Sequence, residues 1–245
     1  MRGSARLLGV AMLAVTIAGC GSTKTTATVP QSDTTSARIY LLSQSGVQPV
    51  LRVVPRAQAL SAAWKGLMIG PTPNEVAFGL SSSVMGAAGW TIETSPTGDP
   101  VLNLATSLSR AALAQTVYTL TQFASKGPVI VNGRRYTRAD FEAETPAILV
   151  ESPLTEQTVA NPLRMTGTAN TFEATFLYEL VDSVGKVIAK HFATATSGSG
   201  TRGTFDVTIP YPTGHGGPGK LVVYESSAKD GSRIHTVEIP LRLTG

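Results

Sequence analysis

The sequence predicts an α+β domain, in which strands pack with two helices, followed by an all-β sandwich. Three observations lead there. Two apolar stripes of helical period lie before residue 143 and none after it. Short β-rich runs flank both stripes. From Ile148 onward, alternating runs recur at close spacing between turns rich in Gly, Pro, Ser and Asn. A chain of 245 residues accommodates one or two domains. The predicted boundaries are residues 37–142, a linker at 143–147, and 148–245.

The amino terminus carries a different signal. Arg2 and Arg6 precede an apolar stretch from Leu7 to Ala18, and small residues follow. This is the pattern of a secretory signal peptide over residues 1–19. The stretch is well short of the ~20 apolar residues that span a bilayer. Ile17-Ala18-Gly19-Cys20 resembles the bacterial lipobox, in which the cysteine thiol is diacylated and cleavage falls just before it, here between Gly19 and Cys20. The resemblance implies a lipoprotein anchored to the extracytoplasmic face of the cell membrane through fatty acyl chains such as palmitate. Each buried methylene contributes about 0.8 kcal/mol, so a multiply acylated Cys20 anchors stably where one chain would not. Residues 20–36 are rich in Thr and Ser and read as a tether, spanning on the order of 20 Å as a coil.

Ordered structure is expected from Ala37. Arg38–Leu42 and Pro49–Val54 read as strands around a Ser45-Gly46 turn. Leu60, Ala63, Trp64, Leu67 and Met68 define one helical face, with Gly70 at the position past the helix end and Pro71 preventing continuation. Residues 80–89 are small and polar and read as loop. Trp90–Thr94 and Pro100–Leu104 read as a strand pair. Leu113, Val117, Leu120 and Ala124 line a second helix over 107–124, with Ala114 and Tyr118 beside them. Val129–Val131 is a short strand and Asn132-Gly133 a hairpin turn.

The second half contains runs at Leu163–Gly167, Phe172–Val181, Val187–Ala193, Thr204–Ile209, Lys220–Glu225 and Arg233–Leu241. About seven short strands in about 95 residues is what a sandwich of immunoglobulin type requires.

Composition excludes several chemistries. The formal charge is +4, about +2 once Arg2 and Arg6 leave with the signal peptide. That gives no basis for nucleic acid as a partner. Cys20 is the only cysteine, so no disulfide is expected within the chain. His191, His215 and His235 are too far apart for a metal-ligand pair, and neither a metal nor a cofactor is predicted. Two G-x-G-x-x-G runs, Gly198–Gly203 and Gly214–Gly219, lead into strands rather than opening a helix, which a dinucleotide site requires. His215-Gly216-Gly217 lacks the nucleophile elbow of an esterase. Asp140, Glu142 and Glu144 form an acidic cluster beside the linker and read as solvated. Arg134, Arg135 and Arg138, with Tyr136, follow the hairpin turn and are expected to project into solvent. They are the candidate contact for phosphate-bearing polymers, lipid head groups or an acidic partner face.

Residues 38–141 resemble the GerMN domain of a spore-germination lipoprotein family. The resemblance rests on Trp64–Glu75, which contains Gly70-Pro71-Thr72, on Gly79–Ser82, Val101–Leu104 and Val131-Asn132-Gly133, and most specifically on the helix Ala114–Phe123. One departure lies at Val84–Gly89, where the family has an I/L-P-x-G-T turn. Residues 148–243 resemble Gmad2, the immunoglobulin-like domain found beside GerMN. Glu151–Pro153, Asn161–Ala169, Phe172–Ala174, Asp182–Gly185 and Glu225–Ser232 carry that likeness. The two resemblances imply a non-catalytic scaffold or interaction module of the cell envelope, bound to the bilayer through Cys20. Its expected partner is an envelope protein or a second copy. The alternative is a binder of wall glycan or a small ligand, for which Trp90, Tyr136, Tyr211 and Tyr224 would line an exposed groove. A hydrolase would need a His–Asp–Ser geometry that the spacing does not show.

Overall fold

The computed structural model describes residues 33–245, which form one compact unit. The expected signal peptide, with Gly19, Cys20 and most of the expected tether, lies outside the described residues. Regular structure begins at Thr34, three residues before the predicted start. Thr34–Ser36 pair with Val53–Pro55, so a main-chain ladder orders residues whose side chains carry no such signal. The resulting hairpin joins β1 (Thr34–Ser43) to β2 (Gly46–Pro55). Gly46 turns it at φ 125°, and a Cβ there would strike the carbonyl oxygen of Glu144.

Helix α1 (Ala59–Ile69) buries Ala63, Trp64 and Leu67 and ends at Gly70, φ 83°. The edge of the Trp64 ring meets Trp90, with centroids 6.4 Å apart. A short helix, α2 (Pro73–Ala77), was not expected, because five residues carry no readable period. Its signal is local. Thr72 accepts from the Glu75 N–H, Glu75 accepts from the Thr72 N–H, and Pro73 opens the first turn.

Strands β3 (Thr91–Thr94), β4 (Pro100–Asn103), β5 (Val129–Val131) and β6 (Arg134–Tyr136) form one sheet in that order. β4 and β5 are parallel, and α3 (Arg110–Leu120) makes the crossover that parallel pairing needs. Ser109 caps α3 by accepting from the Ala112 N–H. The helix ends at Leu120 in a 3₁₀ turn over Thr121–Phe123, earlier than the expected 124.

The apolar face assigned to α3 is too narrow. Gln115, Thr116 and Thr119 are as buried as Val117 and Leu120. Gln115, Thr119 and Gln122 lie along the open edge of β1 and complete its hydrogen bonding. Gln122 accepts from the Arg38 N–H at 3.0 Å and donates to the Arg38 carbonyl at 2.7 Å. Thr119 Oγ1 accepts from the Tyr40 N–H, and Gln115 donates to the Tyr40 carbonyl, both at 3.0 Å. The helix supplies side-chain amides and a hydroxyl where a sheet would supply another strand. This satisfies main-chain groups that burial would otherwise leave costly.

The expected linker is not loose. A 3₁₀ segment runs Arg138–Glu144, and Thr145 and Pro146 are buried. Tyr118 Oη meets Thr145 Oγ1 at 2.6 Å, and that hydroxyl also donates to the Phe141 carbonyl.

The sandwich comprises β7 (Ile148–Ser152), β8 (Thr158–Val159), β9 (Leu163–Ala169), β10 (Thr175–Val181), β11 (Val187–Thr194), β12 (Gly203–Ile209), β13 (Gly217–Ser226) and β14 (Arg233–Leu243). One sheet has the order β12-β9-β7, the other β11-β10-β13-β14-β8. The run expected as a single strand from Phe172 begins instead with a turn, where Glu173 and Ala174 take φ of 52° and 57°. Phe176, Leu180, Met165, Leu163, Ile209, Leu221 and Val223 fill the space between the sheets. Alternation along β7 divides the core. Ile148 and Val150 belong to the sandwich cluster, whereas Leu149 joins the cluster of the first lobe.

Candidate functional site

The first candidate site is the seam between the lobes. Arg138, on the 3₁₀ segment after β6, packs against the rings of Tyr40 and Tyr118, whose centroids are 5.2 Å from each other, with its guanidinium carbon 5.1 and 4.7 Å from them. It donates to Glu151 Oε1 at 2.6 Å, to Tyr40 Oη at 3.1 Å and to the Tyr118 carbonyl at 3.3 Å. Tyr40 Oη in turn donates to Glu151 Oε2 at 2.9 Å, and Arg38 Nε donates to the Glu151 carbonyl. Burial pushes the Tyr40 phenol well above its ordinary value, and burial also raises Tyr118, so both hydroxyls stay protonated. The expectation that Arg138 projects outward is therefore corrected. It is a half-buried cation, placed by the aromatic residues of β1 and α3 and by the carboxylate of β7.

A second arginine crosses the seam from the other side. Arg202 forks onto Glu142 at 2.9 and 3.0 Å and donates to the carbonyl of Pro146 at 2.9 Å. Asn170 donates to Glu142 Oε1 at 2.8 Å. The hydrogen bond from Arg202 holds the Glu142 carboxyl below the usual carboxylate range, despite an opposing contribution from burial. A depressed carboxylate stabilises the fold fully above its unfolded pKa, about 4.3, and ceases to do so as pH falls through its lower folded value. Acid titration followed by tryptophan fluorescence is expected to show stability falling below about pH 4. A Glu142→Gln protein should lose part of that slope.

The acidic cluster is likewise accounted for. Glu142 holds Arg202, Glu144 accepts from Arg110 Nε at 2.9 Å, and Asp140 accepts from the Thr137 N–H and hydroxyl at 2.7 and 3.0 Å. None of the three is a simply solvated carboxylate.

The remaining predicted contact residues do form a surface. Arg134 and Arg135 are exposed, and Tyr136 is half-buried. The Tyr136 ring sits 5.8 Å from that of Phe141, Arg134 lies 5.2 Å over Tyr136, and Arg110 lies 4.9 Å over Phe141. Arg110 thus replaces Arg138 in the patch. Its position at the start of α3 gave no sequence hint that it would meet Phe141 and Glu144 of the segment that follows β6. Hydrogen bonds from Thr137 hold Asp140 below the usual carboxylate range, with Arg110 and Arg134 adding to the effect. Arg134 on its ring and the exposed Arg135 beside it, next to an Arg110 already paired with Glu144, can meet an acidic protein face or a phosphate-bearing polymer.

The other motifs do not converge. Both glycine-rich runs connect strands, and the second ends within β13. His215 meets Asp182 at 2.9 Å and His235 meets Glu225 at 2.8 Å, while His191 Nδ1 lies 3.0 Å from the Phe192 carbonyl. Among the described residues, no group of three His, Cys, Asp or Glu side chains is placed to hold a metal ion. Tyr211 and Tyr224 are buried in the sandwich and Trp90 packs on Trp64, so the four aromatics do not share a groove.

Residues 147–232 match the family model of Gmad2, described as the immunoglobulin-like domain of bacterial spore germination. The match starts one residue before β7 and stops in the turn before β14. A similar solved structure is that of the tandem GerMN domains of the sporulation protein GerM from Bacillus subtilis. It is 13% identical with a TM-score of 0.33, and the alignment covers 72% of this chain and 61% of that one. No curated protein matches.

Proposed function

We propose that this chain is a lipid-anchored extracytoplasmic lipoprotein that works as a non-catalytic interaction module of the cell envelope. The observation that carries the reading is Ile17-Ala18-Gly19-Cys20 closing a short apolar run behind two arginines. The lipid sets position, the chain up to residue 33 sets reach, and the lobes present a surface to a partner. The two arginine clamps support a scaffold role, because they tie a Gmad2-type sandwich to an α+β lobe across one seam. The patch of Arg110, Arg134, Arg135 and Tyr136 is the proposed contact for an acidic partner. The glycan-binding alternative has less support, since its rings are dispersed.

The anchoring half of the proposal is tested by fractionation. Wild-type protein is expected in the membrane pellet, labelled by a palmitate analogue. Cys20→Ala is expected in the soluble extracytoplasmic fraction without label. Equal partitioning of the two proteins would sink the lipoprotein reading.

A further inference from the structure

Strand β11 ends its sheet, paired to β10 and to no other strand among the described residues. Its edge is open from Val187 to Ala193. Beyond Thr194 the chain turns toward the other sheet, where the Thr196 N–H donates to the Thr204 carbonyl. Along this edge Phe192 is 58% exposed and Val187 43% exposed. The carbonyl of Phe192 is met by the imidazole of its own neighbour, His191. An open, partly apolar edge of this kind is a template for another strand.

A lysine on an edge ordinarily discourages pairing. Lys190 is a special case. It lies 2.9 Å from Glu179, a nearly buried carboxylate that also receives Arg233 at 2.8 and 2.9 Å and the Tyr224 hydroxyl at 3.0 Å. Two cations therefore share one carboxylate, and Arg233 with Tyr224 leaves Glu179 satisfied if Lys190 turns away. Lys190 and Phe192 sit on the same outer face, opposite Glu179 and Leu177 of β10.

We infer that β11 is a self-association edge whose occupant is the β11 strand of a second copy of this chain, antiparallel about a two-fold axis at His191. The argument is complementarity. A two-fold axis normal to the sheet keeps outer faces together, so opposed residues must share a face. Centring on Lys190 would oppose two lysines, which is unfavourable. Centring on His191 sets each Phe192 ring against the Lys190 of the other copy, a cation–π pair made twice. It also sets Ala189 against Ala193 on the inner face, where small side chains let the strands approach. The two five-stranded sheets then continue as one. The inference uses the sandwich alone and stands whether or not Cys20 is acylated.

The register makes a sharp test. Residues on the axis oppose themselves with Cα atoms about 4.5–5.5 Å apart, within disulfide range. Two copies of residue 190 would be offset by two residues, about 8 Å apart and out of range. In full-length Cys20→Ala protein, His191→Cys is expected to give roughly tenfold more disulfide-linked dimer on mild oxidation than Lys190→Cys. Sedimentation equilibrium should show a dimer for the parent and a monomer for Phe192→Lys, an exposed substitution that leaves the core untouched. A monomeric parent, or equal crosslinking at 190 and 191, would overturn the inference. Crosslinking at 190 alone would do so too.

Discussion

Replacing Arg138 by alanine is expected to remove about 2–4 kcal/mol of unfolding free energy, measured by urea denaturation of the otherwise intact chain. The side chain is about 30% exposed and Glu151 about 17%, so the pair is neither fully dry nor at the surface. Its deletion strands the Glu151 carboxylate beside the Tyr40 hydroxyl and removes the cation packed against both rings. Leaving a half-buried charge unpaired costs more than the pair itself contributes. Arg138→Lys should recover less than half of the loss. An ammonium keeps the charge but cannot cover both the Tyr40 and Tyr118 rings while donating to Glu151 and to the Tyr118 carbonyl. Full recovery by lysine would show that charge alone matters there and would contradict the stacked geometry.

Gln115→Leu is the second large effect, with an expected loss of about 1–3 kcal/mol in the same assay. The substitution is close in volume and leaves no large cavity. What it removes is hydrogen bonding at both ends of a buried amide. Gln115 donates to the Tyr40 carbonyl at 3.0 Å and accepts from the Ser83 N–H at 2.8 Å. The buried Tyr40 carbonyl left unpaired costs about 1–3 kcal/mol, whereas the N–H of the exposed Ser83 can turn to water. Hydrogen exchange should localise the damage to the β1 edge near Tyr40 and to Ser83. A leucine variant as stable as the parent would mean that the amide is replaceable by packing, and the view of α3 as a surrogate strand would fail.

These two residues mark where the sequence was legible and where it was not. Hydrophobic period located α1 and α3, and alternation located most of the sandwich strands, because in both cases one face meets the core. Glycine and asparagine punctuation located the Asn132-Gly133 turn, which takes φ of 48° and 77°. Period failed where side chains serve the backbone. Gln115, Thr119 and Gln122 look like a polar face, yet they are enclosed because β1 needs partners along its edge. The same limit hid α2, whose only signature is the reciprocal cap of Thr72 and Glu75. It also hid the order at Thr34–Ser36, which comes from the ladder to β2.

The candidate site was half visible. Adjacent arginines after a hairpin pointed to the surface of β6, and Arg134, Arg135 and Tyr136 lie there. Spacing could not tell that Arg138 turns inward, because Tyr40, which meets both Arg138 and Glu151, lies 98 residues from the one and 111 from the other. Nor could it bring Arg110 to Phe141 or Arg202 to Glu142. Such long-range pairs become readable only once the chain has folded.

The most direct test of the proposed interaction role is site-specific photo-crosslinking in living cells, with the probe at Arg135 and a control probe at the exposed Thr208 of β12 in the membrane-anchored chain. The account predicts a discrete protein partner captured from position 135. That capture should be absent from position 208 and lost when Cys20→Ala releases the chain from the membrane. Capture of only lipid or wall fragments, or identical capture from both positions and from the released chain, would contradict it.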